Sequence, residues 1–192
     1  MLSAHRARDN ALIDAIESIQ GKPYRDKVWR VVREGKDVLT PSAAGGRWDD
    51  GTFEVLYTSL AADGAAAEMY FHLSRGQPVI PSRVRYHLYE LRVRVQRGLH
   101  LPDVDAVARL GVDTSRYGAL SYNDRQQEYP RTQEVGETAH FMGFEAVIAP
   151  NARWQALNAV LFADRLPPEA LDVVKDHGPI DWTVWQKKSF GY

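Results

Sequence analysis

The order and patterning of this chain predict a single α+β domain in which mixed β-sheets are flanked by helices. Segments with alternating apolar residues and segments with helical periodicity intermingle, without the regular strand–helix–strand alternation of a doubly wound parallel sheet. The 192 residues fit one domain with an appendage, at roughly 150 residues per domain. Hydrophobic residues make up 44% and charged residues 26%, which is enough apolar surface for a core and far from the composition of a disordered chain. No internal repeat, low-complexity tract or interdomain linker interrupts the sequence.

Leu12, Ala15, Ile16 and Ile19 recur at helical spacing behind Asp9 and Asn10, either of which can cap the start, and Gly21 and Pro23 end this leading helix. Residues 28–33 (VWRVVR) read as a short strand, followed by a loop rich in Gly, Pro, Ser and Ala up to Gly46. Phe53, Val55 and Tyr57 alternate with Glu54, Leu56 and Thr58, the period of two that a strand requires, and residues 64–73 then read as a helix. Val84, Tyr86 and Leu88 occupy even positions whereas Leu91, Val93 and Val95 occupy odd ones, so a bulge or a break is expected near Tyr89. Residues 103–110 form a short helix with Asp103 as N-cap and Gly111 as its stop, and residues 118–130 are polar and loop-rich. Residues 132–142 look helical despite Gly136, while 146–148 and 158–162 look like strands. Pro167 and Pro168 followed by Gly178 bracket a further helix, and residues 181–187 are expected to form a final strand.

Several function classes lack their residues. No cysteine is present, which removes disulfides, thiol nucleophiles and every Cys-based metal site. Lys and Arg total 24 against 25 Asp and Glu, a net charge of 24 − 25 = −1, which argues against wholesale binding of nucleic acid or a membrane surface. The amino-terminal residues hold Asp9, Asp14 and Glu17 among the apolar ones and show no signal-peptide pattern, and no stretch approaches the ~20 apolar residues that span a bilayer. A cytoplasmic location is the expectation. There is no dinucleotide fingerprint, phosphate loop, His-Glu-x-x-His pair or Gly-x-Ser-x-Gly elbow. The histidines at 5, 72, 87, 100, 140 and 177 show no pair four residues apart, so no metal is expected. Arg83, Arg85, Arg92, Arg94 and Arg97 with Tyr86 and Tyr89 form a basic, aromatic run that reads first as a solvated strand face and second as a phosphate or RNA contact.

The informative stretch is Gly45-Gly46-Arg47-Trp48-Asp49-Asp50-Gly51, then Val55-Leu56-Tyr57-Thr58-Ser59, then Ala66-Ala67-Glu68-Met69-Tyr70-Phe71. Two glycines before Arg47 let backbone approach a ligand that a guanidinium grips in a forked way, but composition alone favours a turn with a surface arginine. Tyr57 fits a core aromatic or a stacking platform for a flat ring. Glu68, with His72 one turn later, fits a helix-paired carboxylate or a functional one.

Arg47, Tyr57 and Glu68, separated by ten and eleven residues in Gly-Arg-Trp, Leu-Tyr-Thr and Ala-x-Glu contexts, resemble the RES domain, named for its conserved Arg, Glu and Ser. Trp29-Arg30-Val31 upstream extends the likeness, as do Gly143-Phe144-Glu145-Ala146-Val147-Ile148-Ala149-Pro150 and Asn158-Ala159-Val160-Leu161-Phe162 downstream. Two departures stand out: Asn151 occupies the place of the family's Ser after the proline, and Asp49 the place where the family often has Asn.

The resemblance implies a fold similar to ADP-ribosyltransferases and a toxin of a bacterial toxin–antitoxin pair that consumes NAD+ as substrate. It implies mono-ADP-ribosyl transfer to a cellular protein of unknown identity, with NAD+ hydrolysis or phosphorolysis as the alternative. It also implies an antitoxin with a helical DNA-binding region and a segment that covers the site. Glu68, Arg47 and Tyr57 are then the catalytic candidates, and Arg30, Arg47, Tyr57 and Asn151 the residues that hold NAD+. On this reading residues 1–27 are a helical extension, 28–162 the RES-like catalytic domain, and 163–192 a helix and strand packed on it. Outside the resemblance, a binding module without catalysis and a ribonuclease using the 83–97 stretch complete the alternatives.

Overall fold

A computed structural model describes residues 8–74, 84–118 and 129–190. Arg83 and most of the expected 118–130 loop lie outside the described residues. The leading helix α1 spans Asn10–Glu17, capped by Asp9, whose carboxylate accepts from the Ala11 N–H, and it buries Leu12 and Ile16. Strand β1 (Lys22–Arg33) is twice the length that its apolar run announced, because its first half pairs with β3 (Tyr86–His100) through mostly exposed residues. Strand β2 (Val55–Ser59) leads into helix α2 (Ala62–Leu73), and Asp103 and the left-handed Gly111 bracket α3 (Val104–Ala108) as expected. Helix α4 (Tyr129–Phe141), strands β4 (Ala146–Pro150) and β5 (Leu157–Phe162) follow in the predicted order.

The strands form one mixed sheet in the order β1-β2-β5-β4-β3-β6, and β1 also pairs along β3, so the sheet curls back on itself. Among the described strands only β3 and β4 run parallel. Central strands β4 and β5 are covered on both faces, which explains their nearly continuous apolar runs. Val55, Leu99, Val147, Ala149, Val160 and Phe162 face α1 and α4, while Val28, Leu56, Leu91, Val93, Val95, Ala146, Ile148, Ala159 and Leu161 form the core on the other side.

β3 runs unbroken past Tyr89, so no break divides it, but its pairing with β6 shifts register between His87 and Tyr89 and between Glu90 and Leu91, the irregularity expected near Tyr89. A further irregularity, facing β1, lies where Pro23 meets two residues, Gln96 and Arg97. Beyond this bulge Leu99 joins the opposite core from Leu91, Val93 and Val95. Proline suits that position because it has no N–H to donate to the ladder.

The carboxy-terminal assignments are reversed. Pro168–Ala170 makes a single 3-10 turn, and residues 171–179, expected as a helix, form strand β6 (Leu171–Pro179) along β3. As an edge strand it is mostly exposed, so it lacks the apolar alternation that marks a buried strand. Residues 181–187, expected as a strand, belong to helix α5 (Trp182–Phe190), where the Asp181 carboxylate accepts from the Val184 N–H and Trp182 and Trp185 lie three residues apart on the face toward α2.

Helix α4 lies so close to the loop before β2 that a methyl at Gly136 would meet the Trp48 carbonyl. Gly136→Ala is therefore expected to destabilise the fold by about 1–3 kcal/mol, read as a lower urea midpoint with an unchanged slope.

Candidate active site

β1 and β2 pair through Trp29 and Ser59, and a cavity of about 340 Å³ is lined from both sides of that pair by residues 29–31 and 57–59. The loop before β2, helix α2, Tyr129 of α4 and the β4–β5 residues Pro150, Ala152, Arg153 and Asn158 complete its wall. Ala65, Glu68, Met69 and His72 all line it, the helical spacing that turns one face of α2 to the cavity. Ala66 and Ala67 on that helix are buried against Trp185 of α5, and their small side chains allow close packing. Arg47, Tyr57 and Glu68 thus come together, as their order in the sequence leads one to expect.

Each is held in a distinct way. Asp49 is fully buried, and its carboxylate accepts from the Gly45 N–H (2.8 Å), the Gly46 N–H (2.7 Å) and the Tyr57 hydroxyl (2.8 Å). The same hydroxyl accepts from the Trp48 N–H at 2.9 Å, and Gln133 of α4 donates to the Gly46 carbonyl at 2.8 Å. A Cβ at residue 46 would collide with the Tyr57 hydroxyl, so the second glycine is required by close approach. Burial and the Asp49 charge raise the Tyr57 pKa well above the ordinary phenol range, so Tyr57 stays neutral. Its hydroxyl fastens the loop, leaving the ring to line the cavity.

The loop presents Arg47, whose guanidinium carbon lies 4.7 Å from the Tyr117 ring centre and 5.3 Å from that of Tyr129. Glu68 is half-buried. Burial raises its pKa above the ordinary carboxylate value, opposed by the charges of Arg47 and Arg153 and by hydrogen bonds from Asn158 and the Ala152 backbone. Asn158 Nδ2 donates to Glu68 Oε1 at 3.2 Å. Arg153 stacks 3.3 Å from the Phe71 ring centre and donates to the Gly118 carbonyl.

Two of the expected NAD+-holding residues are engaged elsewhere. Arg30 lines the cavity, yet its Nη1 and Nη2 donate to the Val38 and Thr40 carbonyls at 2.6 and 3.1 Å, bracing the 34–54 loop. Burial pushes its pKa down to about 10. Asn151 is buried and does not line the cavity; its side chain bonds Gly64, Arg153 and Asn158. Sequence reading gave no role to Asp49, Tyr117, Tyr129 or Arg153. Two signals were available, Asp49 within the Gly-Arg-Trp motif and a polar Asn158 inside an apolar strand, whereas Tyr117, Tyr129 and Arg153 lie in loops or at a helix start remote from the motif.

Described arginines of the basic stretch are tied to neighbouring groups of the fold. Arg94 bonds Asp172 (3.0 Å), Arg97 caps the Met142 carbonyl (2.5 Å) and lies 4.1 Å from the Phe144 ring centre, and Arg85 reaches Glu34 (4.0 Å). Among the described residues His72 is the one histidine lining the cavity, and no group of three His, Cys, Asp or Glu side chains is placed to hold a metal ion. No described helix is long and apolar enough to cross a membrane.

Asp49→Asn would turn an amide donor toward groups that already donate. An unsatisfied buried donor costs about 1–3 kcal/mol, so the variant is expected to melt at lower temperature and to bind ligand more weakly by calorimetry.

The fold is shared with a chain in the crystal structure of the M. tuberculosis MbcT–MbcA toxin–antitoxin complex, at a TM-score of 0.78 and 19% identity, covering 94% of this chain and 98% of that one. No curated protein matches by sequence. The model of the RES domain matches residues 27–183, through β6 and into α5. With most of its length in that match, and with Arg47, Tyr57 and Glu68 around one cavity, the chain belongs to the RES domain family.

Proposed function

We propose that the chain is a RES-type toxin that cleaves the nicotinamide–ribose bond of NAD+ and transfers ADP-ribose to a cellular protein. A cognate antitoxin, with a helical DNA-binding region and a segment over the cavity, would hold it in check; the toxin–antitoxin neighbour of the same fold supports such a partner. The observation that carries the reading is a half-buried carboxylate, Glu68, sharing one cavity with Arg47 and the Tyr57 ring.

Breaking the bond from ribose C1″ to the nicotinamide nitrogen sends the electron pair to the ring, which leaves neutral, and places positive charge on the ribose. Glu68 meets that charge as it develops and bonds a ribose hydroxyl, an interaction stronger in the transition state than with bound NAD+. Arg47 grips the diphosphate through a forked pair of N–H donors and fixes the reacting pose. The Tyr57 ring stacks on nicotinamide. The acceptor's nucleophilic atom then bonds to C1″ and loses its proton.

Hydrolysis or phosphorolysis of NAD+ is the second reading. Its phosphorolytic form is favoured by Arg153, a second guanidinium close enough to Glu68 to lower its pKa, in a cavity that therefore suits an anionic acceptor. NAD+ labelled in its adenylate half separates the two. A labelled protein band in cell extract is the expected result. Free ADP-ribose, or its 1″-phosphate, with no labelled band would overturn transfer in favour of breakdown.

A further inference from the structure

We propose that Asn151 and Asn158 are a positioning pair for the Glu68 carboxylate, the first amide locking the second so that its Nδ2 donor faces Glu68 Oε1. This rests on the reading of Glu68 as the catalytic carboxylate. Two backbone groups set the direction of the whole chain of bonds. The Arg153 N–H donates to Asn151 Oδ1 at 2.7 Å, and the Gly64 carbonyl accepts from Asn151 Nδ2 at 3.2 Å. Neither backbone group can exchange roles, so the Asn151 amide has one orientation.

Asn151 Nδ2 also donates to Asn158 Oδ1 at 2.8 Å. Asn158 must therefore turn its own Nδ2 outward, where it meets Glu68 Oε1 at 3.2 Å. Asn151 is 7% exposed, and Asn158 sits on β5 opposite Ala149 of β4, so both are fixed by the framework instead of by a mobile loop. Asn151 supplies donors to two acceptors, Gly64 and Asn158, whereas a serine hydroxyl carries a single O–H. That is a physical reason for asparagine here in place of the family's Ser.

The pair acts on a carboxylate that burial disfavours in its charged form. Among the described residues, the other charged or titratable groups that share its cavity or act on it are Arg30 on β1, Arg47 and Asp49 from the loop before β2, Tyr57 on β2, Arg153 after β4, Tyr117 before α4, Tyr129 on α4 and His72 on α2 itself. These remain when Asn158 is replaced, so the variant removes one donor to the charged form and leaves the cations.

The test is the pH dependence of nicotinamide release from NAD+ by the purified full chain and its variants. Asn158→Ala is expected to move the acid limb to higher pH and lower kcat about tenfold, the size of one hydrogen bond to a charged group, with KM little changed. Asn158→Asp keeps the shape, sets like charges together and is expected to move the limb further. Asn151→Ser, with one donor fewer, is expected to move it in the same direction by less. A limb that stays in place in folded Asn158→Ala and Asn158→Asp overturns the pair. Titration of the Glu68 carboxyl by carbon NMR without NAD+ separates this from the proposed reaction. A raised Glu68 pKa in Asn158→Ala supports the pair even if NAD+ is untouched, and an unchanged one overturns it even if NAD+ is consumed.

Discussion

Glu68→Gln is expected to lower nicotinamide release by about 10²-fold or more, in a protein that is at least as stable as the parent at neutral pH. The amide keeps the shape of the side chain and removes the charge that meets the ribose cation. Stability follows from the sign of the pKa shift. Burial raises the folded-state pKa of Glu68 above its ordinary value, so the folded state binds the proton more tightly than the unfolded state does. The stability conferred by the protonated carboxyl is complete below the unfolded pKa and is lost as pH rises through the folded one. At neutral pH the parent carries that loss and the variant does not, and the gap closes on acidification. Thermal melts against pH, beside the turnover assay, check both parts. Near-normal turnover in a folded variant would remove Glu68 from the chemistry.

Arg47→Ala is expected to weaken NAD+ binding about 10- to 100-fold by calorimetry, the loss of about 1.5–3 kcal/mol of hydrogen bonding between charged groups. Arg47→Lys should recover part of that affinity, since it restores the charge without the forked geometry. A second effect separates Arg47 from a residue that only shapes the wall. Its charge lowers the Glu68 pKa, so Arg47→Ala should also shift the acid limb of activity to higher pH. An affinity equal to that of the parent would remove Arg47 from the phosphate site.

Much of the domain was legible in the residues because local signals and tertiary packing agree there. The Asp9 and Asp103 caps, the left-handed Gly111 and the apolar runs of β4 and β5 mark their elements directly. The spacing of Arg47, Tyr57 and Glu68 also marked the cavity, since the three stand on consecutive elements joined by short connections. Residues 171–187 read the wrong way round because β6 depends on β3, remote in sequence, for its pairing and shows no buried face of its own. Helix α5 reveals itself through Trp182 and Trp185 only once α2 is there to receive them. The roles of Arg30 and Asn151 were hidden for a related reason. A residue type shows what it can bond, but the Val38, Thr40 and Gly64 carbonyls that engage these two side chains are set by the fold.

Nicotinamide release from NAD+ by the purified chain, free of any antitoxin and run with and without phosphate and cell extract, tests the central claim most directly. The account predicts release that disappears in Glu68→Gln, with the stimulating condition naming the acceptor. No release from folded protein under any of these conditions would contradict it and leave the cavity as a binding site without this chemistry.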